Sequence, residues 1–434
     1  MAARTLPGKK ALLTTVGCTS AATMGQILVV GKVVYDITSS KLALGLLGLV
    51  QFLPALVLVL LAGTVADRID RRKVVACGAT LQALTALALA AYVAGAPTSV
   101  APIFGLTLAF GVGQAFSAPA ARSLPADMAP PEELPALVAR TNVAGQVGTV
   151  VGPVMGGFLY VARPWLPFVG FAVVLAVAVV AVLLIPALIP ARSRVEQPGT
   201  DPSAILGDAV REAGLEPAFG HDLAPSTSGS SVHEAMEGLR FVRTRPVILG
   251  AISLDLFAML FGGAVALLPA IARDRLGVGA VGLGWLQGAA GLGAGLTTLV
   301  LAARPLARRV GRTLFVAVGV FGIFTILLGT TRDYGVAFVA MFVLSGADAV
   351  SVFIRATLVP LSTPVDKRGR VLAVENVFIG ASNEVGGFES GVTAQLIGTS
   401  GSVVLGGIAT LTVAGLWSVL FPDLRRVDRF PSGA

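Results

Sequence analysis

Twelve apolar runs, most close to twenty residues long, leave this chain few ways to fold. About 20 consecutive apolar residues is the length an α-helix needs to cross the hydrocarbon core of a bilayer, whereas a spanning strand would alternate over about ten. Bounded by charges, Pro or Gly, the runs fall at 11–35, 42–66, 74–95, 101–122, 136–162, 165–190, 247–273, 280–304, 312–331, 334–358, 370–398 and 401–421. Composition agrees with that reading. Only 13% of the 434 residues are charged and 55% are hydrophobic, against about 25% charged in soluble domains. The expectation is an all-α membrane protein of twelve transmembrane helices. The first run, preceded by Arg4, Lys9 and Lys10, is too long for a signal-peptide core and reads as a retained helix.

Twelve crossings put both chain ends on one side, and the cations say which side that is. One set of connections holds Arg68, Arg71, Arg72 and Lys73; Arg308, Arg309 and Arg312; Lys367, Arg368 and Arg370; and Arg425, Arg426 and Arg429. The other set has only Lys41, Arg163, Arg273, Arg275 and Arg332, with Asp274 and Asp333 beside three of them. By the positive-inside rule the first set, with both termini, faces the cytoplasm of a cell membrane. The formal charge of +8 is then topological, and no nucleic-acid partner is expected. The two cysteines, Cys18 and Cys77, lie in apolar runs, and His221 and His233 share one polar stretch; neither pair makes a disulfide framework or a metal site. No cofactor is expected, and the lack of a GxxxxGK[ST] loop disfavours ATP-driven pumping.

Residues 191–246 interrupt the pattern. The part up to 231 is rich in Pro, Ser, Gly and charge, a composition that buries too little apolar surface to order itself. His233 to Arg245 is amphipathic and suits a membrane interface. The expected organisation is an N-terminal six-helix bundle (1–190), a linker (191–246) and a C-terminal six-helix bundle with a short tail (247–434). The halves repeat. Ala129-Pro130-Pro131-Glu132-Glu133 leads to Ala139-Arg140-Thr141-Asn142, and Thr363-Pro364-Val365-Asp366-Lys367 leads to Ala373-Val374-Glu375-Asn376 at the same spacing, which sets Gly152 on Gly386 and Gly157 on Gly391. Two similar bundles around a midplane site is the architecture this implies.

Between the second and third runs lies Gly63-Thr64-Val65-Ala66-Asp67-Arg68-Ile69-Asp70-Arg71-Arg72-Lys73, read as a short loop. A plain loop with anchoring cations accounts for its charge. The order Gly63-x-x-x-Asp67-Arg68-x-x-Arg71-Arg72 goes further and resembles the loop 2–3 signature of the major facilitator superfamily of transporters. That resemblance implies a cytoplasmic gate in which Asp67 engages the start of the eleventh helix and the cations tie the second and third helices to it. The fifth run carries Gly148-Thr149-Val150-Val151-Gly152-Pro153-Val154-Met155-Gly156-Gly157, whose small residues permit close helix packing. Gly148, Gly152, Pro153, Gly156 and Gly157 also resemble the superfamily's antiporter motif, which implies export. In the second half, Leu254 to Gly263, Asp348 to Arg355, Lys367 to Arg370, Phe378 to Glu384, Phe388 to Gly391 and Phe421 to Arg426 are similar to the enterobactin-exporter-like and multidrug branch. One position departs from the pattern: where many antiporters carry an Arg in the fourth helix, Thr107 stands before Gly111-Val112-Gly113. Arg122, the cation of that helix, is expected to belong with Asp127 and the loop.

Ionisable groups inside spans cost roughly 2.5–3.5 kcal/mol each on insertion scales, so each is a functional candidate. Asp255 lies near midplane in the seventh run, and Asp348 and Arg355 lie two turns apart in the tenth. The eleventh carries Glu375, Asn376, Asn383, Glu384 and Glu389; at 100° per residue Glu375 and Glu389 share a face and Glu384 points nearly opposite. These acids are expected to serve proton coupling or the substrate cavity, with Asp255 and Asp348 as first carriers and Glu389 third. A satisfied interhelical pair is the plainer alternative for each. Lys32 is expected to snorkel to the interface. The function expected is proton-coupled export of a siderophore or drug-like amphipathic molecule by a monomer. A solute importer and a non-transporting sensor on the same scaffold stay open; a channel is disfavoured because nothing resembles a selectivity filter.

Overall fold

The computed structural model describes residues 6–130, 132–186, 232–304 and 306–431, so the linker segment 191–231 lies outside it. The described residues form helices and no strand. The first half contains α1 (Leu6–Thr38), α2 (Lys41–Arg68), α3 (Arg71–Ala94), α4 (Ala101–Met128), α5 (Leu134–Ala162) and α6 (Leu166–Leu184). Then come the amphipathic α7 (Val232–Thr244), α8 (Pro246–Phe261), α9 (Ala280–Ala303), α10 (Val310–Thr330), α11 (Tyr334–Leu361), α12 (Val365–Leu420) and the short α13 (Pro422–Arg426). Beyond Phe261, α8 continues through a 3₁₀ turn (Gly263–Leu267), one α-turn (Leu268–Ala270) and a π-turn (Ile271–Arg275), so the span ends at Arg275.

Among the described residues eleven helical stretches are long and apolar enough to cross a membrane. The last counts twice. The 56 residues of α12 would extend about 84 Å as one rod, nearly three hydrocarbon thicknesses. Gly398 breaks it with φ 84 and ψ 159, a backbone state that costs a side-chain-bearing residue dearly. Two limbs on either side of Gly398 supply the eleventh and twelfth crossings.

Helix ends follow local chemistry. Ser40, Asp70 and Asp333 cap α2, α3 and α11 by accepting hydrogen bonds from the amides of Ala43, Arg72 and Val336. The cap at Asp70 corrects the expected loop 63–73. α2 runs on to Arg68, and only Ile69 and Asp70 separate it from α3. A carboxylate that caps the next helix at once makes a longer loop unnecessary, and charges at the end of a helix clear the hydrocarbon without a loop to carry them.

Within the first bundle α1 packs on α5 and α6, α3 on α4 and α6, and α2 on α4, around Phe110, Phe168, Phe171 and Leu175. The second bundle repeats the theme, with α12 against α8 and α10, and α11 against α9 and α10. Two seams join the bundles: α5 against α9, and α2 against the first limb of α12. The amphipathic α7 lies on the start of α12. Arg370 pairs with Glu237 at 2.7 Å, and the Lys367 ammonium sits over the Phe241 ring.

Candidate functional site

The second bundle buries a cluster of opposite charges. Arg355 of α11 holds Asp255 of α8 at 2.7 Å and faces Glu375 of α12 at 3.7 Å. The three residues are 3%, 3% and 5% exposed. Arg355 keeps one donor, Nε, buried without a partner. One turn or more toward the other end of α11, Asp348 forms no hydrogen bond or ion pair with any described residue; it opens with Asp255, Met259, Phe321 and Ser351 onto a cavity of about 210 Å³ between α8, α10 and α11. Two carboxylates thus hold one guanidinium in an apolar bundle, and a third lies about two turns away on the cavity. The sequence placed Asp348 and Arg355 on one face of their helix but could not pair Arg355 with the other two helices.

The remaining acids go elsewhere. The Glu384 carboxylate lies against Gly48 of α2, across the seam between bundles, and Glu389 accepts a hydrogen bond from Thr393 Oγ1 at 2.6 Å. Glu375, Glu384 and Glu389 therefore line three different surroundings. Asn376 and Asn383 are exposed. They share a stripe with Gly380, which touches Phe52 of α2, so both amides face the other bundle.

The first bundle holds a counterpart without charge. A cavity of about 190 Å³ is lined by Gln26, Gln51, Thr107 and Phe110. Thr107 donates its hydroxyl back to the Ile103 carbonyl at 2.8 Å, and Gln26 Oε1 is buried without a partner. An amide-lined hollow stands where many antiporters have an arginine.

The glycines of α5 serve two contacts. A Cβ at Gly148 or Gly152 would run into the α1 backbone at Gly17 and Ala21, and Gly156 abuts Val29 and Phe171. Gly157 and the Pro153 carbonyl instead meet Ala280 and Gly284 of α9 in the other bundle. Further along this seam Gln146 donates to the Gly291 carbonyl at 2.6 Å.

At the face away from the chain ends, the tip of α1 clasps the end of the α8 span. Tyr35 donates its hydroxyl to Asp274, Arg273 pairs with Asp36 at 3.5 Å, and the Arg273 guanidinium lies over the Tyr35 ring at 5.6 Å. Asp36 also takes Lys32 and, at 2.7 Å, the Tyr160 hydroxyl. Lys32 is therefore tied to a neighbour rather than free at the interface. The sequence reading missed this clasp; Asp36 one turn after Lys32 inside an apolar run was the signal. On the same face Gly45 and Gly391 bring α2 and α12 into backbone contact.

At the opposite face, Arg71 binds both carboxylate oxygens of Asp127 in α4, at 2.7 and 2.8 Å. Arg72 reaches Asp70 and the Ile185 carbonyl at the end of α6. Asp127 thus takes Arg71, not Arg122, because the start of α3 abuts the end of α4 while Arg122 stays exposed. The arginine hydrogen bond holds the Asp70 carboxyl below its ordinary range. The side chains of Gly63, Asp67 and Arg68, central to the expected gate, lie outside those described. Among the described residues no group of three or more His, Cys, Asp and Glu could hold a metal ion.

This arrangement can be set beside known proteins. The sequence pattern that defines the Major Facilitator Superfamily matches residues 12–354. The chain belongs to that superfamily. No curated protein matches it. Among solved structures it is similar to a POT family transporter in complex with 5-aminolevulinic acid, with TM-score 0.70, 12% identity and 96% of each chain covered. It is also similar to a mutant of the nucleoside transporter NupG, with TM-score 0.66 and 12% identity over 95% of this chain and 100% of that one. A bacterial homolog of the human lysosomal transporter Spinster, inward-facing and unoccupied, gives TM-score 0.64 and 14% identity over 97% of each chain. At such identities these likenesses show the fold, two six-helix bundles, and the superfamily match makes the chain a multi-pass membrane transporter.

Proposed function

We propose that this transporter is a proton-coupled exporter that moves a siderophore or drug-like amphipathic molecule out of the cell across the cell membrane. The observation that carries the reading is the buried excess of acid in the second bundle: Asp255 and Glu375 on Arg355, and Asp348, unpaired among the described residues, on the cavity beside them. Uncompensated carboxylates in an apolar bundle favour the proton-bound form. A proton arriving at Asp348 or Asp255 weakens the hold on Arg355 and lets the bundles rock. Both termini lie in the cytoplasm on this reading, with bundles over 1–190 and 247–434 joined by the linker 191–246, and the chain works as a monomer.

The clasp of Tyr35 and Asp36 on Arg273 and Asp274 then closes the outer face, while Asn376 and Asn383 border the path open to the cytoplasm. The loop of Gly63, Asp67, Arg68, Arg71 and Arg72 forms the cytoplasmic gate in the opposite state. Glu384 and Glu389 act on the substrate side of the seam. The α5 glycines let α1 and α9 slide on one helix, which suits an antiporter.

The test is transport by the full chain in proteoliposomes under an imposed pH gradient, with siderophores and hydrophobic antibiotics as solutes. Asp255→Asn and Asp348→Asn should each lose gradient-driven flux while still binding solute. Undiminished flux in both removes them as carriers, and accumulation in the opposite direction makes the chain an importer.

A further inference from the structure

We infer that the cavity between α8, α10 and α11 is a site for a small monovalent cation, Na⁺, held by Asp255, Asp348 and Ser351. The inference rests on the coupling role proposed above for the two carboxylates and names a second occupant of their site.

Ser351 points to a ligand independently of the acids. It is 4% exposed, opens onto the cavity, and its hydroxyl has no hydrogen-bond partner among the described residues. Ser253 and Ser382, by contrast, return their hydroxyls to their own helices, at the Leu249 and Ile379 carbonyls. Asp348 and Ser351, three residues apart, lie on one face of α11. Asp255 opens onto the same cavity from α8. Carboxylate and hydroxyl oxygens suit a hard cation; the set offers at most five oxygens, one of them already taken by Arg355, fewer than the 6–8 of Ca²⁺, and no His or Cys of the kind structural zinc sites use. The cavity has room for about one water-sized group, far less than a drug-sized ligand needs, so the transported solute binds elsewhere. A single small cation offsets part of the acid excess that Arg355 leaves.

Protons and Na⁺ then compete. The charged groups facing the site are Asp255 from α8, Asp348 and Arg355 from α11, and Glu375 from α12; α10 contributes only Ala317, Val318 and Phe321. Raising the pH empties the carboxylates of protons and tightens Na⁺ binding.

The experiment is equilibrium binding of ²²Na⁺ to the purified full chain in nanodiscs, at pH 8.5 and pH 6, with KCl or choline chloride as competitor. Expected are saturable binding at pH 8.5, a half-saturating concentration about tenfold higher at pH 6, and weak competition by K⁺. Ser351→Ala should weaken binding about tenfold and Ser351→Thr restore it; Asp348→Asn should abolish it. Size-exclusion profiles check that each variant is folded, and the serine pair decides the matter if the aspartate variant is not. Absent saturable binding, or affinity indifferent to Ser351→Ala, overturns the site. Transport driven by a pH gradient in sodium-free choline buffer separates the two claims: if it persists while ²²Na⁺ fails to bind, the sodium site falls and proton coupling stands, and if both are absent both fall.

Discussion

The two bundles share a scaffold and differ in what they bury. Carrying the repeat that sets Gly152 on Gly386 into the neighbouring helices puts Asp348, Ser351, Arg355 and Glu375 of the second half opposite Gln114, Ser117, Ala121 and Thr141 of the first. Every charge in the cluster has a neutral partner in the repeat. Ser117 takes a hydrogen bond from Gln82 at 3.2 Å, whereas Ser351 has no such neighbour. Thr141 bonds back to Val138 on its own helix, whereas Glu375 reaches across to Arg355. Packing tolerates either solution. What differs is response to pH: an amide network has no group that titrates near neutrality, whereas a bundle with surplus carboxylates carries groups that can take up protons. On the proposed coupling, ion sensing belongs to the second half and the first is a passive counterweight.

The largest way to break this contrast is to remove Arg355, the one buried cation among the described residues. Arg355→Ala strands Asp255 and Glu375, and losing one partner of a buried pair costs about 3–5 kcal/mol. Ser117→Ala in the first half should cost only about 1 kcal/mol, the scale of one hydrogen bond. Thermal unfolding of the purified chain in detergent compares them, and equal losses would erase the distinction. Next, Asp348→Asn makes the second half more like the first. Gradient-driven flux should fall at least about tenfold, the equivalent of about 1.4 kcal/mol, with the melting temperature held. Thr107→Val, its control in the first cavity, should leave the pH dependence of flux unaltered.

A smaller effect belongs to the clasp between halves. Asp36→Asn with Arg273→Gln removes a partly exposed pair worth about 0.2–1 kcal/mol, shifting the balance between closed and open forms of that face by up to about fivefold. Thiol labelling of a cysteine introduced at Gly31, which packs on Pro269, reads that shift; unchanged labelling would deny the clasp a gating role. The most local change is at Asp70→Ala, which loses the α3 cap for about 1 kcal/mol. Because the Asp70 carboxyl is held below its ordinary range, its contribution is present above the unfolded pKa and lost as pH falls through the folded one. The gap in melting temperature between wild type and Asp70→Ala should therefore narrow in acid.

Much of the fold was legible because hydrophobic length and small-residue spacing act along one helix at a time. Each crossing could be read, as could the α5 glycines. Even so, the purpose of Gly157 needed α9, which no pattern within α5 reveals. Arg273 and Asp274 read as loop charges because they close an apolar run; only the approach of α1 turns them into one side of a clasp. Arg122 looked like the partner of Asp127 because it is near in sequence, yet Arg71 reaches that carboxylate through space. Arg355 and Asp348 were visible as costly intramembrane charges, but which of them is paired was not.

From the chain alone follow the membrane-spanning helices, the repeat of the halves and the presence of acids inside the hydrocarbon, since each is set by local hydrophobicity and the 3.6-residue turn. Which acids meet Arg355, which one is left facing a cavity with Ser351, and which face of the molecule is clasped shut were decided only in three dimensions. Helical periodicity says which side chains share a face; the rotation and close approach of neighbouring helices, set by packing at the glycines, say what that face meets.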